Sequence, residues 1–280
     1  MTSSATQVPG VALSDGSEIP QLGFGVFQIA PEETVEAVTR AFEAGYRHID
    51  TAAAYGNEAE VGQAVHASGL DREDVFITTK CPNPDHGYNQ ARRAFKESFD
   101  RLELDYVDLY LIHWPVPSKD LYVETWKAFV ELQAEGLVRS IGVSNFQPPH
   151  LERIVSETGV SPVVNQIELH PYLQQHGLLR EHADRGLVTE AWSPLAQGKV
   201  LDDPELVRIA EAHGKTAGQV VLRWHLQIGD VVFPKSVTPA RIEENFDIFD
   251  FSLTDEDLAA IADLDRGERT GPDPDTFVAP

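Results

Sequence analysis

The sequence predicts an α/β fold, a (β/α)8 TIM barrel with an N-terminal β-hairpin and a C-terminal helix plus tail. Eight short apolar segments alternate with amphipathic helical segments over about 250 residues, which is the order and size of such a barrel. Most of these segments lack strict alternation, as expected for strands buried on both faces. No linker rich in Pro, Gly or Ser divides the chain, so residues 1–280 form one predicted domain. A doubly wound open sheet is the alternative.

A hairpin precedes the predicted barrel strands. Residues 11–20, VALSDGSEIP, place the turn dipeptide Asp15-Gly16 between two short apolar pieces. Residues 1–10 are expected to form a flexible tail. The barrel strands are predicted at 21–26, 47–50, 75–80, 107–113, 138–144, 163–168, 187–192 and 231–236.

Two kinds of signal mark helices between these strands. Apolar residues recur at helical spacing, and capping boxes indicate where helices begin. The helical spacing links Val35, Val38 and Phe42, and also Ile242, Phe246 and Phe249, while the capping boxes pair Thr216 with Gln219 and Thr254 with Asp257.

Composition narrows the class of protein. The chain has 45 acidic and 22 basic residues, a formal net charge of -23, which argues against nucleic acid and anionic membranes as partners. A single cysteine, Cys81, leaves no intramolecular disulfide and no cysteine metal cluster, so no metal is predicted. The first ten residues lack a signal-peptide pattern, and no apolar run reaches membrane-spanning length. We therefore expect a cytoplasmic protein.

Polar and aromatic residues cluster where the predicted strands end, which is where a barrel places its active site. Taken singly, each has an ordinary structural interpretation as a cap, a surface lysine or a core histidine. Together they can build an acid–base site. The residues at this rim are Phe27, Asp50, Tyr55, Lys80, His113, Ser144, Asn145, Gln166, Trp192, Lys235 and Ser236.

The residue types at the rim indicate protonation of an oxygen. A free tyrosine has a pKa of about 10. We expect Lys80, held by an ion pair with Asp50, to lower the pKa of Tyr55 and make it a general acid toward a carbonyl oxygen. His113 can donate a hydrogen bond to the same oxygen. No side chain supplies hydride to the carbon, so this chemistry requires a nicotinamide cofactor.

The cofactor signals point away from a Rossmann site. Residues 23–27 contain only G-x-G, and residues 142–146 lack the second glycine of a nucleophile elbow. In contrast, residues 234–245 place Thr238 as a cap before a helix, with Lys235, Ser236 and Arg241 around its start. This cluster suits a phosphate monoester such as the 2′-phosphate of NADPH. An ordinary capped helix with basic surface residues is the alternative.

Several longer motifs resemble the aldo-keto reductase superfamily over residues 11–265, most closely its bacterial 2,5-diketo-D-gluconic acid reductases. The resemblance implies a catalytic tetrad of Asp50, Tyr55, Lys80 and His113, acting with NADPH. The motifs are GYRHIDTAAAYGNE (45–58), TTK (78–80), LIHWP (111–115), GVSNF (142–146), NQIELHP (165–171), AWSPLAQG (191–198) and PKSVTPARIEENFDIFDF (234–251).

The resemblance also implies a set of cofactor contacts. Trp192 would stack on the nicotinamide ring, and Ser144, Asn145 and Gln166 would bind its carboxamide. Further contacts would come from Ser193 and Leu195, from Lys235, Ser236, Val237, Thr238 and Arg241 at the 2′-phosphate end, and from Glu244 and Asn245 at the adenine.

The substrate pocket departs from the family pattern. Pro82 stands where many relatives carry an aromatic residue, and the tail at 266–280 is short. Phe27 and Trp114 are the predicted pocket walls, whereas Phe277 has ordinary apolar packing as its simpler interpretation.

The predicted function is therefore NADPH-dependent reduction of small aldehydes and ketones, including diketo sugar acids, by a cytoplasmic monomer. One alternative is a non-catalytic barrel that binds NADPH and reports redox state to a protein partner. A phosphosugar isomerase is a second alternative, but it gives no role to Tyr55 with Lys80.

Overall fold

The computed structural model describes residues 8–277 and begins with the predicted hairpin. Strands β1 (Gly10–Ala12) and β2 (Glu18–Pro20) pair antiparallel. Asp15 accepts hydrogen bonds from Ser17 and from Ser140, which lies in a barrel strand. Because Ser140 is in the first half of its strand, the hairpin covers the amino-terminal end of the barrel.

Eight parallel strands form the barrel, which confirms the predicted fold class. Their hydrogen-bonded order follows the chain, and a bridge between Leu22 and Val232 joins the first edge to the last. The strands are β3 (Phe24–Gly25), β4 (His48–Asp50), β5 (Phe76–Cys81), β6 (Val107–Ile112), β7 (Val138–Ser144), β8 (Val164–Glu168), β9 (Val188–Trp192) and β10 (Val231–Val232).

Helices surround the strands and contribute most of the apolar core. Buried residues of the helices and of the outer strand faces form one large cluster, and a smaller cluster fills the barrel near the hairpin. The helices are α1 (Pro31–Ala44), α2 (Glu58–Ala67), α3 (Tyr88–Leu102), α4 (Tyr122–Ala134), α5 (Pro148–Thr158), α6 (His176–Arg185), α7 (Pro204–His213), α8 (Ala217–Ile228), α9 (Pro239–Phe246) and α10 (Asp255–Ala262).

The first and last barrel strands are shorter than predicted. Strand β3 has two residues instead of the six at 21–26, and β10 ends at Val232, so 233–236 are not strand. Pro234 has no backbone N–H to donate to a ladder. Its carbonyl still accepts a hydrogen bond from the Gly25 amide at 3.1 Å, so the chain stays beside β3 without regular pairing.

The helix signals are confirmed in most places. Both predicted capping boxes are present, at the starts of α8 and α10. Phe249 was expected in the same helix as Phe246, but α9 ends at Phe246, and the two rings pack at 5.7 Å outside it. Thr238 occupies the N-cap of α9, yet its side chain makes no capping bond; instead its amide donates to Ser236 Oγ at 3.1 Å.

The two ends of the chain need separate mention. Of the predicted tail at 1–10, residues 1–7 lie outside the described residues, and Gly10 already begins β1. The C-terminal segment follows α10, where Glu168 Oε1 accepts hydrogen bonds from Thr270 N and Oγ1. Among the helices of residues 8–277, none is long and apolar enough to cross a membrane.

Candidate active site

The centre of the candidate site is a buried ion pair. Lys80 on β5 is fully buried, and its Nζ lies 2.7 Å from Asp50 Oδ1 at the end of β4. The same ammonium donates to the Thr51 carbonyl at 2.8 Å and lies 3.5 Å from the Tyr55 hydroxyl. Adjacent strands therefore hold the ammonium, and the predicted contact with Tyr55 is present.

Electrostatics at the pair favour a charged Lys80. Burial lowers the pKa of Lys80, but the charge of Asp50 and the neighbouring Tyr55 outweigh this and raise it overall. The expectation that Lys80 gives Tyr55 a lowered pKa is wrong in its net direction. Burial raises the pKa of Tyr55 more than Lys80 lowers it, and Asp50 raises it further. Tyr55 is therefore a protonated phenol beside the positively charged Lys80.

His113 completes the predicted tetrad from the loop after β6. Its ring meets that of Tyr55 edge to face, with centroids 5.7 Å apart. Burial, together with the positive charge of Lys80, lowers the pKa of His113 to about 3. The imidazole is therefore neutral at pH 7 and can donate through one ring nitrogen.

Local structure explains how Tyr55 reaches this group. After Asp50 the chain stays extended at Ala52 and then forms one 3-10 turn, Ala53–Tyr55, which ends at Gly56 with φ of 72°. Asn57, which the sequence analysis missed, is buried and holds the turn: its Oδ1 accepts from Thr51 Oγ1 at 2.8 Å. Its Nδ2 donates to two carbonyls of the preceding loop. Two loops are thereby fixed against each other beneath Tyr55.

Ser144, Asn145 and Gln166, which are predicted to bind a carboxamide, lie together at the end of β7 and in β8, beside Trp192 at the end of β9. Asn145 has a left-handed backbone, with φ of 65°, at the end of β7. Its Nδ2 donates to the His113 carbonyl and to Ser144 Oγ, both at 3.0 Å, and its Oδ1 accepts from Trp192 Nε1 at 2.8 Å. Ser144 Oγ donates to the Gln166 carbonyl at 2.9 Å. The Ser144 hydroxyl hydrogen and both Asn145 amide hydrogens are used in these bonds, so these side chains can only accept further hydrogen bonds.

A second buried acid, Glu190, was missed by the sequence analysis. Gln166 Nε2 donates to Asp50 Oδ2 and to Glu190 Oε2, both at 2.9 Å. Burial and the charge of Asp50 raise the pKa of Glu190 to about 8. The available signal was a carboxylate in the middle of an apolar strand, LVTEAW, where an ionised side chain is costly.

The predicted phosphate cluster surrounds the start of α9. Lys235 and Arg241 are exposed, and neither pairs with a carboxylate among residues 8–277. Ser236 is buried beside them, and Val237 is 43% exposed. Of the two residues predicted at the adenine, Glu244 accepts a hydrogen bond from Thr216 Oγ1 at 2.7 Å, and Asn245 is buried.

Aromatic residues, including the predicted pocket walls Phe27 and Trp114, lie beside Tyr55 and Trp192. Phe27 is 55% exposed, and its ring lies 5.0 Å from that of Tyr55. Trp114 packs 4.4 Å from Phe277 and 6.3 Å from Trp192, so the C-terminal segment reaches this side of the barrel. Of the two other predicted contacts after β9, Ser193 has φ of 52° and Leu195 packs partly buried against the core.

No group of three or more metal-binding side chains occurs in the part of the chain that the structure describes. The arrangement instead offers a phenol, an ammonium and a neutral imidazole at one barrel mouth. Such a group can donate a proton and a hydrogen bond to one substrate oxygen.

Comparisons with known proteins give a consistent result. A model of the Aldo/keto reductase family matches residues 21–266. An aldo-keto reductase of Mycobacterium sp. (strain KMS) is 57% identical over 269 residues, covering 96% of this chain and 98% of its own length. Methylglyoxal reductase DkgA of Escherichia coli (strain K12) is 55% identical over 269 residues, covering 95% of this chain and 97% of its own.

Solved structures agree with these relatives. An aldo/keto reductase from Brucella melitensis superposes with a TM-score of 0.92 at 57% identity, covering 94% of this chain and 100% of its own. A mutant of Gox0644 in complex with NADPH has a TM-score of 0.94 at 48% identity, covering 98% of this chain and 100% of its own.

Replacing Glu190 by glutamine should change how stability depends on pH. Folding raises the pKa of the Glu190 carboxyl from 4.5 to about 8, so its protonated form stabilises the folded state, and this contribution is fully present below pH 4.5. That contribution is lost as the pH rises to about 8, at about 1.4 kcal/mol for each pH unit. Glutamine does not titrate, so Glu190→Gln should gain stability relative to the parent across this window and level off above it.

Urea unfolding of both proteins at pH 5, 7 and 9 measures the effect. All other titrating groups are shared, so the difference between the two free energies of unfolding reports the titration of Glu190 together with its electrostatic coupling to Asp50. A difference that stays constant across the three pH values would contradict the raised pKa.

Proposed function

The chain belongs to the aldo/keto reductase family, and on that premise we propose that it reduces small aldehydes and ketones with NADPH, with Tyr55 as the general acid. The observation that carries this proposal is the Asp50–Lys80–Tyr55 chain, with distances of 2.7 and 3.5 Å, beside a neutral His113. The family shares an oxidoreductase reaction; the roles of the individual residues are our proposal.

The residues at the rim fit a nicotinamide cofactor. The free capacity of Ser144, Asn145 and Gln166 is for accepting hydrogen bonds, which suits the N–H2 of a carboxamide. At the other end, Lys235 and Arg241 are exposed and have no carboxylate partner within residues 8–277, which is unusual in a chain of net charge -23 and suits a phosphate. We propose that Trp192, Ser193 and Leu195 contact the nicotinamide half, Lys235, Ser236, Val237, Thr238 and Arg241 the 2′-phosphate, and Glu244 and Asn245 the adenine.

The side chains of the tetrad divide the chemistry between them. The bound cofactor supplies hydride to the carbonyl carbon. Tyr55 gives its proton to the carbonyl oxygen, and its raised pKa keeps that proton in place at neutral pH. Lys80 stabilises the phenolate that remains, and Asp50 holds Lys80. His113, as a neutral donor, orients the same oxygen.

The substrate class follows from the borders of the site. Phe27, Trp114 and Phe277 form aromatic walls beside Tyr55 and Trp192, which suits a small carbonyl compound. We propose methylglyoxal as the first compound to compare, because one similar protein is named a methylglyoxal reductase. Diketo sugar acids are the second, because the sequence motifs resemble those of 2,5-diketo-D-gluconic acid reductases. Cytoplasmic location and a monomeric state stay predictions.

Tyr55→Phe should abolish most reduction without weakening cofactor binding. Removal of the phenolic proton donor should lower kcat by about 10²–10⁴-fold, because general acid catalysis contributes about that much. The measurement is NADPH consumption with methylglyoxal, a diketo sugar acid and an aromatic aldehyde. Tyr106→Phe is the matched control, since its hydroxyl bonds the Arg72 carbonyl away from the site.

Two outcomes would contradict different parts of the reductase proposal. Unchanged turnover in Tyr55→Phe would remove Tyr55 from the chemistry. Tight NADPH binding with no turnover of any carbonyl by the parent protein would favour a barrel that reports redox state to a protein partner.

Arg241→Ala should weaken the preference for NADPH over NADH. Loss of one charge-assisted contact to phosphate should raise KM for NADPH by about 10-fold or more and leave KM for NADH nearly unchanged. Steady-state kinetics with both cofactors measure it. Arg208→Ala, which removes an exposed arginine paired with Glu205 on α7, is the control. An equal rise in KM for both cofactors would argue against a 2′-phosphate site here.

A further inference from the structure

The barrel interior holds an acid, Glu190, that the proposed reduction does not use. Glu190 on β9 is fully buried. Its Oε2 accepts a hydrogen bond from Gln166 Nε2 at 2.9 Å, and the same nitrogen donates to Asp50 Oδ2 at 2.9 Å. Glu190 Oε1 has no hydrogen-bond partner in residues 8–277, and His48 Nε2 lies 3.9 Å from it. One side-chain amide is thus held between carboxyl groups from two other strands.

This arrangement decides the orientation of the Gln166 amide. Each carboxyl group offers an acceptor oxygen to the same point, so the amide end between Asp50 and Glu190 is the NH2 group, and both its hydrogens are used. The amide oxygen, Oε1, receives no hydrogen bond from the described part of the chain. With Asp50 alone, one hydrogen of the amide would be unpaired and the amide plane could rotate.

We propose that Glu190 is a positioning residue for the nicotinamide cofactor: with Asp50 it fixes the Gln166 amide so that Oε1 is offered as an acceptor to the carboxamide N–H2. The inference rests on the proposed function, because it assigns a cause to the orientation of a residue at the proposed cofactor site.

The charges around Glu190 allow this role without disturbing the catalytic pair. The groups that face it are Asp50 and His48 from β4, Lys80 from β5 and the neutral Gln166 from β8. Burial lowers the pKa of His48 to about 3, so that ring is neutral. With its own pKa raised to about 8, Glu190 is mostly neutral at pH 7. Its carbonyl oxygen still accepts from Gln166 while no second negative charge competes with Asp50 for Lys80.

The experiment compares two cofactors by calorimetric binding, so that its readout does not depend on turnover. One is NADPH, and the other is its 3-acetylpyridine analogue, in which a methyl ketone replaces the carboxamide and no N–H can be donated to Gln166. The parent protein should bind NADPH about 10-fold more tightly than the analogue, as expected for one buried hydrogen bond and an otherwise unpaired acceptor.

Four variants separate positioning from general destabilisation. Glu190→Leu removes the oxygen that accepts from Gln166 at similar side-chain volume, and Glu190→Asp moves that oxygen away by one methylene. In both variants the affinity for NADPH relative to the analogue should fall to about 3-fold or less. Glu190→Gln keeps an acceptor and should keep the parent ratio. Thr189→Val is the matched control on the same strand, because Thr189 bonds His182 on the outer side. It too should keep the ratio.

The outcomes distinguish this inference from the proposed function. A parent ratio near 1, or a ratio retained in both Glu190→Leu and Glu190→Asp, would overturn the positioning role. Should Glu190→Leu fail to fold, Glu190→Asp alone decides. A parent protein that binds NADPH with the expected ratio but reduces no carbonyl would overturn the reductase proposal, and the ratios of the Glu190 variants would still decide the positioning role.

Discussion

The buried ion pair between Lys80 and Asp50 is the interaction on which the rest of the site depends. A fully buried ammonium is tolerated only because Asp50 and the Thr51 carbonyl satisfy it at 2.7 and 2.8 Å. That requirement fixes β4 against β5 at the barrel mouth. It also places a positive charge 3.5 Å from the Tyr55 hydroxyl, which is where the proposed proton transfer would need it. Structure and chemistry therefore share one constraint.

Asp50 extends the same constraint to the far side of the barrel. Its second oxygen accepts from Gln166, and Gln166 in turn bonds Glu190, so β4, β5, β8 and β9 are joined through their side chains across the barrel. The interior can hold these polar groups because Asp50 accepts from both Lys80 and Gln166 and because the second acid, Glu190, is mostly neutral at pH 7. The positions of the side chains at the barrel mouth thus depend on hydrogen bonds that cross the barrel as well as on the loops.

Much of this architecture could be predicted from the sequence. Asp50, Lys80 and His113 lie at or just beyond the ends of apolar strands, and the parallel strands of a barrel bring these ends together whatever the details of packing. The features that the sequence did not predict correctly depend on distances and burial in the folded chain. The net pKa of Tyr55 is set by how deeply its loop packs, which no spacing reports. Asn57 and Glu190 act through partners on other elements of the fold. Strand β10 ends at Val232 because Pro234, two residues later, has no backbone N–H to continue the pairing.

The most direct test of the ion pair is a double-mutant cycle on the free energy of unfolding. Asp50→Asn leaves the buried Lys80 ammonium without its charged partner, and Lys80→Met leaves the buried Asp50 carboxylate without its own. Each single variant should lower the free energy of unfolding by about 3–5 kcal/mol. The account predicts that the double variant loses clearly less than the sum of the two, because the second substitution removes the group that the first left unpaired. Additive losses would contradict it, since they would mean that Lys80 and Asp50 stabilise the barrel independently.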